Sequence, residues 1–298
     1  MRNLLIDGID VYATYGIFIT YGCYNNLISY PALKKPILVN NWAEEDGEDV
    51  DLTSMVLDHK EFDLSFATQQ QDKVFVFIQM LSAKTYHEFN FGDLNRVYTL
   101  RLLSQPNKKM YSRSEIFSLR FADDYPMRRR VSGVPSSDMV SQRGYVLDDV
   151  DMSRYGVYVL DGSDAEIMKV PDVKINITDN IVLNDALKYH SKNVQLPCLM
   201  LAKNIDEFWH NYEALLFALT QDDARSLYYD KLDEEYSCYY NNSKVVKFRI
   251  ADRVWCQFTM SLTFTSFGVP IIDDAILSSE NGSGVITEQG KYFINLNV

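Results

Sequence analysis

The sequence predicts a β-rich α+β chain of two tandem β-barrel or sandwich domains, each with one flanking α-helix. Three observations predict it. Several short segments alternate apolar and polar residues, the period of half-buried strands. Two longer segments instead repeat apolar residues at helical spacing. These strand and helix segments occur twice, in the same order, along 298 residues. Apolar residues make up 47% of the chain, with 16 Phe and 20 Tyr, enough to build cores and to exclude wholesale disorder. At about 100–200 residues per domain, the length fits two domains.

Taken in order, the first repeat opens Ile6-Asp7-Gly8-Ile9-Asp10-Val11 and reaches Tyr15-Gly16-Ile17-Phe18-Ile19. The second opens Leu147-Asp148-Asp149-Val150-Asp151-Met152 and reaches Tyr155-Gly156-Val157-Tyr158-Val159. The two differ by one residue in the spacing before the Tyr-Gly pair. Tyr30-Pro31-Ala32-Leu33-Lys34 then faces Val170-Pro171-Asp172-Val173-Lys174, displaced by 140. Residues 62–66 and 194–198 alternate as strands, and Pro197 places its strand at an edge or a bulge.

A helix follows in each repeat. The first covers roughly residues 72–81, with Val74, Phe75, Phe77, Ile78 and Leu81 as its apolar positions. The second covers roughly residues 205–219, with Phe208, Tyr212, Leu215, Leu216 and Leu219 on one face. Asn204 is its expected N-cap, with Asp206 and Glu207 in the first turn. Strand 97–102 corresponds to 236–240, and the last strand, 116–121, to 259–264 at a displacement of 143.

The expected organisation is a first repeat over 1–122, a linker over 123–143, a second repeat over 144–266 and a C-terminal β extension over 267–298. The linker mixes Pro, Gly, Ser and charge, as connectors do. Its Arg128, Arg129 and Arg130 read as a solvated basic turn, or as a contact for phosphate or a carboxylate on a neighbour. In the extension, Asn281-Gly282 and Gln289-Gly290 are turn signals between short strands.

Nothing in the sequence reads as an active site. His59, His87, His190 and His210 form no HxH or HExxH pattern, and no GxSxG, P-loop or GxGxxG occurs. Cys23, Cys198, Cys238 and Cys256 lie far apart without metal-ligand spacing and are expected as buried free thiols. The acidic run from Glu44 to Asp51 lacks the alternating ligands of a calcium loop and reads as a charged, exposed loop between strands. The expectation is a non-enzyme with no catalytic residue, cofactor or metal.

No apolar stretch reaches the ~18 residues of a membrane span. The N-terminus has an acid at Asp7 and no signal-peptide pattern, so synthesis in a bacterial cytoplasm, without membrane insertion, is expected. The net charge of −12 argues against an open nucleic-acid surface. It is also uneven: residues 1–143 carry −2 and residues 144–298 carry −10.

The order of features in the first repeat resembles the distal tail and baseplate-hub proteins of long-tailed phages and prophages. The resemblance lies in Ile6-Asp7-Gly8-Ile9-Asp10, then Tyr15-Gly16, then Pro31-Ala32-Leu33-Lys34, then Asn41-Trp42-Ala43-Glu44-Glu45-Asp46-Gly47, then the strand and helix. It covers the second repeat only in outline, and the second repeat has no counterpart of the Trp42-to-Asp51 loop. The resemblance implies a virion structural protein that forms a homo-oligomeric ring at the end of a tail tube. Such a ring is a hexamer, or a trimeric pseudo-hexamer if each chain supplies two units. It implies contacts with other tail proteins and DNA only as cargo, which an acidic channel would repel. Trp42, Glu44, Glu45 and Asp46, with Arg128, Arg129 and Arg130, are the candidate assembly contacts. Two other readings stand beside this one: a carbohydrate-binding or adhesin module of β-sandwich type, and a hydrolase whose carboxylates the sequence does not reveal.

Overall fold

In the computed structural model, the described residues are 3–20, 22–42, 45–53, 55–110, 114–126, 132–139, 144–174, 177–178, 181–182 and 188–266. The expected extension over 267–298 lies outside them. The first repeat runs β1 (Leu4–Ile6), β2 (Ile9–Asp10), α1 (Val11–Tyr15), β3 (Ile17–Ile19), α2 (Tyr24–Ile28), β4 (Val39–Asn40), β5 (Asp49–Val50), β6 (Lys60–Thr68), α3 (Gln71–Ser82), β7 (His87–Phe91), β8 (Arg96–Met110) and β9 (Glu115–Asp123). The second runs β10 (Tyr145–Leu147), β11 (Val150–Asp151), β12 (Val157–Val159), α4 (Ser163–Met168), β13 (Val173–Lys174), β14 (Ile177–Thr178), β15 (Ile181–Val182), β16 (Lys188–Tyr189), β17 (Lys192–Ala202), α5 (Ile205–Leu219), β18 (Arg225–Tyr229), β19 (Glu234–Ile250) and β20 (Val254–Ser266).

Each repeat builds one seven-stranded antiparallel sheet. The first has the order β2-β1-β7-β8-β9-β6-β3 and the second β11-β10-β18-β19-β20-β17-β12, the same order strand for strand. The longest strand of each sheet serves two partners. β8 pairs with β7 through Arg96–Leu100 and with β9 beyond that, and β19 does the same between β18 and β20. The chain therefore is β-rich α+β with two tandem sheet units. Each has its expected flanking helix, α3 or α5, plus shorter helical turns.

The repeated opening motif has a local cause. Asp7 and Asp148 both take positive φ in the turn that closes a two-strand hairpin. Asp10 and Asp151 then cap the next turn, accepting from Ala13 N and Ser153 N. Gly16 and Gly156 end it in the left-handed region, which glycine reaches without a Cβ clash. The one-residue difference between the repeats falls inside this turn. The first copy makes an α-turn, Gly16 N donating to Tyr12 O; the shorter second copy makes a 3-10 turn, Gly156 N donating to Ser153 O.

The register corrects one expectation. Leu64 pairs with Leu119, and its counterpart Leu196 pairs with Met260, so the last strands align at a displacement of 141 rather than 143. Side chains in a strand repeat every two residues, so a slip of two keeps every residue on its face and leaves the pattern intact. Pro197 departs from the expected edge or bulge: β17 lies between β20 and β12 without a register shift, but Pro197 stands just past the end of β12, where its carbonyl accepts Leu160 N and its missing N–H interrupts no ladder.

The cores are aromatic. Phe66 stacks on Phe117 at 5.5 Å, and Phe77 reaches Phe66 from α3 at 5.6 Å. Phe89 meets Phe121 at 5.1 Å, joining the two halves served by β8. In the second repeat Tyr212 of α5 stands edge-on to Phe258 at 6.2 Å.

Candidate assembly interface

Among the described residues, the first repeat reaches the second at the acidic loop, at α5 and along β19. The first of these contacts is the acidic loop. The β4–β5 ladder closes it, and its tip reaches the second repeat at the β13–β16 ladder. Lys174 Nζ, buried, donates to Trp42 O at 2.8 Å, Glu45 O at 2.9 Å and Gly47 O at 2.5 Å. Tyr189 N donates to Asp46 Oδ1 at 2.9 Å, and Gly47 N donates to Tyr189 O at 2.8 Å. Gly47 has a φ of +74°, and a Cβ there would stand 1.6 Å from the Thr265 carbonyl oxygen. The loop is charged and exposed between strands, as expected, with Glu45, Asp46 and Asp49 exposed, but its main chain is engaged: three carbonyls turn inward because a buried ammonium needs three acceptors.

The second contact covers α5. Tyr30 stacks on Tyr212, ring centroids 4.0 Å apart, and its hydroxyl donates to Tyr212 O. Tyr212 OH donates back to Ile28 O at 2.8 Å, and Tyr240 OH donates to Pro31 O at 2.8 Å. Burial pushes all three tyrosines well above the usual phenol range, so they stay neutral donors. Trp209 Nε1 donates to Leu94 O at 2.6 Å, with the Arg96 guanidinium 4.8 Å above its ring. Arg96 also pairs with Glu213 at 2.7 Å. Beside it, Asn25 clasps the backbone of β19, donating to Val246 O and accepting from Phe248 N. Residues 132–139 of the linker run along the same helix, where Ser136 N donates to Asn211 Oδ1 at 2.9 Å.

Of the candidate contacts, the structure brings Trp42, Glu45 and Asp46 onto the second repeat, two through main-chain oxygens. Trp42 keeps its indole half-exposed, donating to Asp49 Oδ2 at 3.0 Å. Glu44, Arg128, Arg129 and Arg130 lie outside the described residues.

Sequence reasoning missed Lys174, and it missed a matched pair, Lys60 and Lys192. Lys60 Nζ donates to Leu27 O and Ser29 O at the end of α2; Lys192 Nζ donates to Ile167 O and Lys169 O at the end of α4. Burial lowers the Lys192 pKa. The shared signal was legible as a lysine opening the same strand in both repeats. Of the cysteines, Cys198, Cys238 and Cys256 are buried free thiols, while Cys23 is half-buried and accepts Ser65 N at 3.2 Å.

No known protein family matches the chain, and no curated protein does. Among solved structures it is similar to the SPP1 Dit protein (gp 19.1), described as a paradigm of the hub adsorption apparatus in phages infecting Gram-positive hosts. The identity is 11% over 87% of this chain and 97% of that one, with a TM-score of 0.32, too low to establish a shared fold.

Proposed function

We propose that the chain is a structural, ring-forming component of a phage-like tail tip or baseplate, connecting the tail tube to the distal apparatus. It works by assembly and not by catalysis, without a cofactor. Its partners are copies of itself and other tail proteins, and DNA passes only as cargo. It is made in the bacterial cytoplasm and ends in the virion tail.

The observation that carries the reading is the way equal repeats meet. The second repeat offers α5, and the first answers with a different surface, Ile28, Tyr30 and the β7–β8 turn. Such a heterologous contact between like units propagates around a ring or along a filament, whereas an isologous one stops at a pair. The motifs of the first repeat support the same reading. Size-exclusion chromatography with light scattering, followed by negative-stain imaging, tests it. Closed rings of three or six chains are expected. A monomer at every concentration would overturn it.

A further inference from the structure

The two flanking helices are equivalent in position and unequal in cover. α3 starts at Gln71 and α5 at Ile205, a displacement of 134, and at that displacement every residue buried on α3 meets one buried on α5. The helices part company on the outer stripe. Trp209, 6% exposed, corresponds to Phe75, which is 67% exposed. Glu213 is half-buried and Leu216 buried, while their counterparts Gln79 and Ser82 are exposed. Val76, beside Phe75, is exposed as well, but so is its counterpart His210, so it lies at the rim of the stripe.

The answering surface shows the same asymmetry in the opposite repeat. α2 ends at Ile28 and α4 at Met168, a displacement of 140. Ile28 is 3% exposed under α5, and Met168 is 51% exposed. Tyr30, stacked on Tyr212, is 5% exposed, and its counterpart Val170 is 50% exposed. Within one chain the junction thus uses the helix stripe of repeat two and the turn surface of repeat one. The helix stripe of repeat one and the turn surface of repeat two carry exposed apolar side chains at the same positions.

We infer that the Phe75–Gln79 stripe of α3 docks on the Met168–Val170 surface of a second copy of this chain, reproducing the internal junction between molecules. This rests on the ring-forming reading and names its contact. The occupant follows from the chain itself: the equivalent of each surface is already covered by the equivalent of the other. The polar clamp is not repeated, because Arg96 corresponds to Glu234 across the matching turns, and Phe75 has no indole N–H. The contact between chains is therefore mainly apolar and weaker than the one within a chain, so assembly depends on concentration.

The test uses full-length chains carrying Phe75→Glu or Met168→Glu, each at a position exposed in the single chain. A charge buried without a partner at an interface centre is strongly unfavourable. Each variant alone is expected to raise the concentration for half-assembly about tenfold or more. Mixed together, the two supply one intact pair of surfaces, and a one-to-one dimer is expected by light scattering, with nothing larger. Gln79→Lys and Val170→Lys form a second pair, and circular dichroism checks folding for all four. Wild-type assembly that both variant pairs leave unchanged overturns this contact while the ring reading stands. Variants that fail to assemble and also fail to pair when mixed overturn it too. A wild type that never assembles overturns both.

Discussion

Helices α3 and α5 hold the same place on equivalent sheets, and one is a surface helix while the other is enclosed. Their inner faces differ little in kind: Val74, Phe77 and Leu81 do for one sheet what Phe208, Asn211 and Leu215 do for the other. Their outer faces differ because, among the described residues, only α5 has the other repeat packed on it. A duplicated domain thus shows what a covered and an uncovered version of one surface look like in a single molecule. Phe75 and Trp209 are both large aromatics, so at that position cover, rather than composition, separates them, whereas at the end of the stripe Leu216 is matched by Ser82.

The sharpest way to break that comparison is paired truncation. Trp209→Ala removes a buried indole, its hydrogen bond to Leu94 O and its cation–π contact, and is expected to cost about 3–5 kcal/mol in urea unfolding. Phe75→Ala, in chain kept dilute, is expected to change stability by about 0.5 kcal/mol or less, as surface substitutions do. Equal losses would show that α3 is covered within the chain and that the two helices are equivalent after all.

Gly47→Ala comes next. The position has positive φ, and the added Cβ meets the Thr265 carbonyl, a backbone atom that cannot swing aside. A loss of about 2–3 kcal/mol is expected, with faster proteolytic cleavage around residues 42–49 as the loop leaves the second repeat. Unchanged cleavage would place the loop's stability elsewhere. Lys174→Met leaves the Trp42, Glu45 and Gly47 carbonyls without their donor and is expected to cost about 1–3 kcal/mol. The same substitution at Lys192 uncaps α4 and should cost less, because its two carbonyls lie nearer solvent. Thermal or urea unfolding of the two variants side by side reads the order.

What the sequence disclosed follows from which signals are local. Alternation in residues 62–66 and 194–198 and the helical spacing from Phe208 to Leu219 came through because period and face are written in consecutive residues. Asn204 was legible as a cap for the same reason, and its Oδ1 accepts Glu207 N at 2.9 Å. Phe75 counts among the apolar positions of its helix with Val74, Phe77 and Leu81, because hydrophobicity does not say which apolar side chain has a partner. The assembly candidates were chosen from charge in the loop, yet much of that loop's contact is made by main-chain oxygens, which no residue name reveals. Lys174 escaped because its acceptors are more than 120 residues away in sequence. Strands β7 and β18 escaped because each is only five residues long, and β18 opens on adjacent polar Arg225 and Ser226 without a clean alternation.

The smallest effect sharpens the comparison between the two hairpins that open the repeats. Burial works to raise the Asp7 carboxyl, but Glu88 N, His87 and Lys84 outweigh it and hold its pKa at about 2. A carboxylate lowered from its ordinary 3.8 contributes stability that is fully present above about pH 4 and is lost as pH falls toward 2. The group is partly open to solvent, so the screened contribution is about 1 kcal/mol. Asp7→Asn should therefore flatten the stability profile between pH 4 and 2 and lower the plateau above it by that amount. In the second repeat the counterpart Asp148 binds Ser226 N and Arg225, with neither a histidine nor a lysine among its side-chain contacts. His87 is buried, with Nδ1 2.7 Å from Asp7 Oδ2, which accepts, and its other nitrogen 3.0 Å from Leu81 O, so it ties the hairpin to the end of α3. Loss of the Asp7 carboxylate should thus loosen α3, the helix whose outer face is open, and amide exchange in Gln71–Ser82 should rise on acidification ahead of exchange in Ile205–Leu219. If α5 loosens first, the tie through His87 does not hold the uncovered helix.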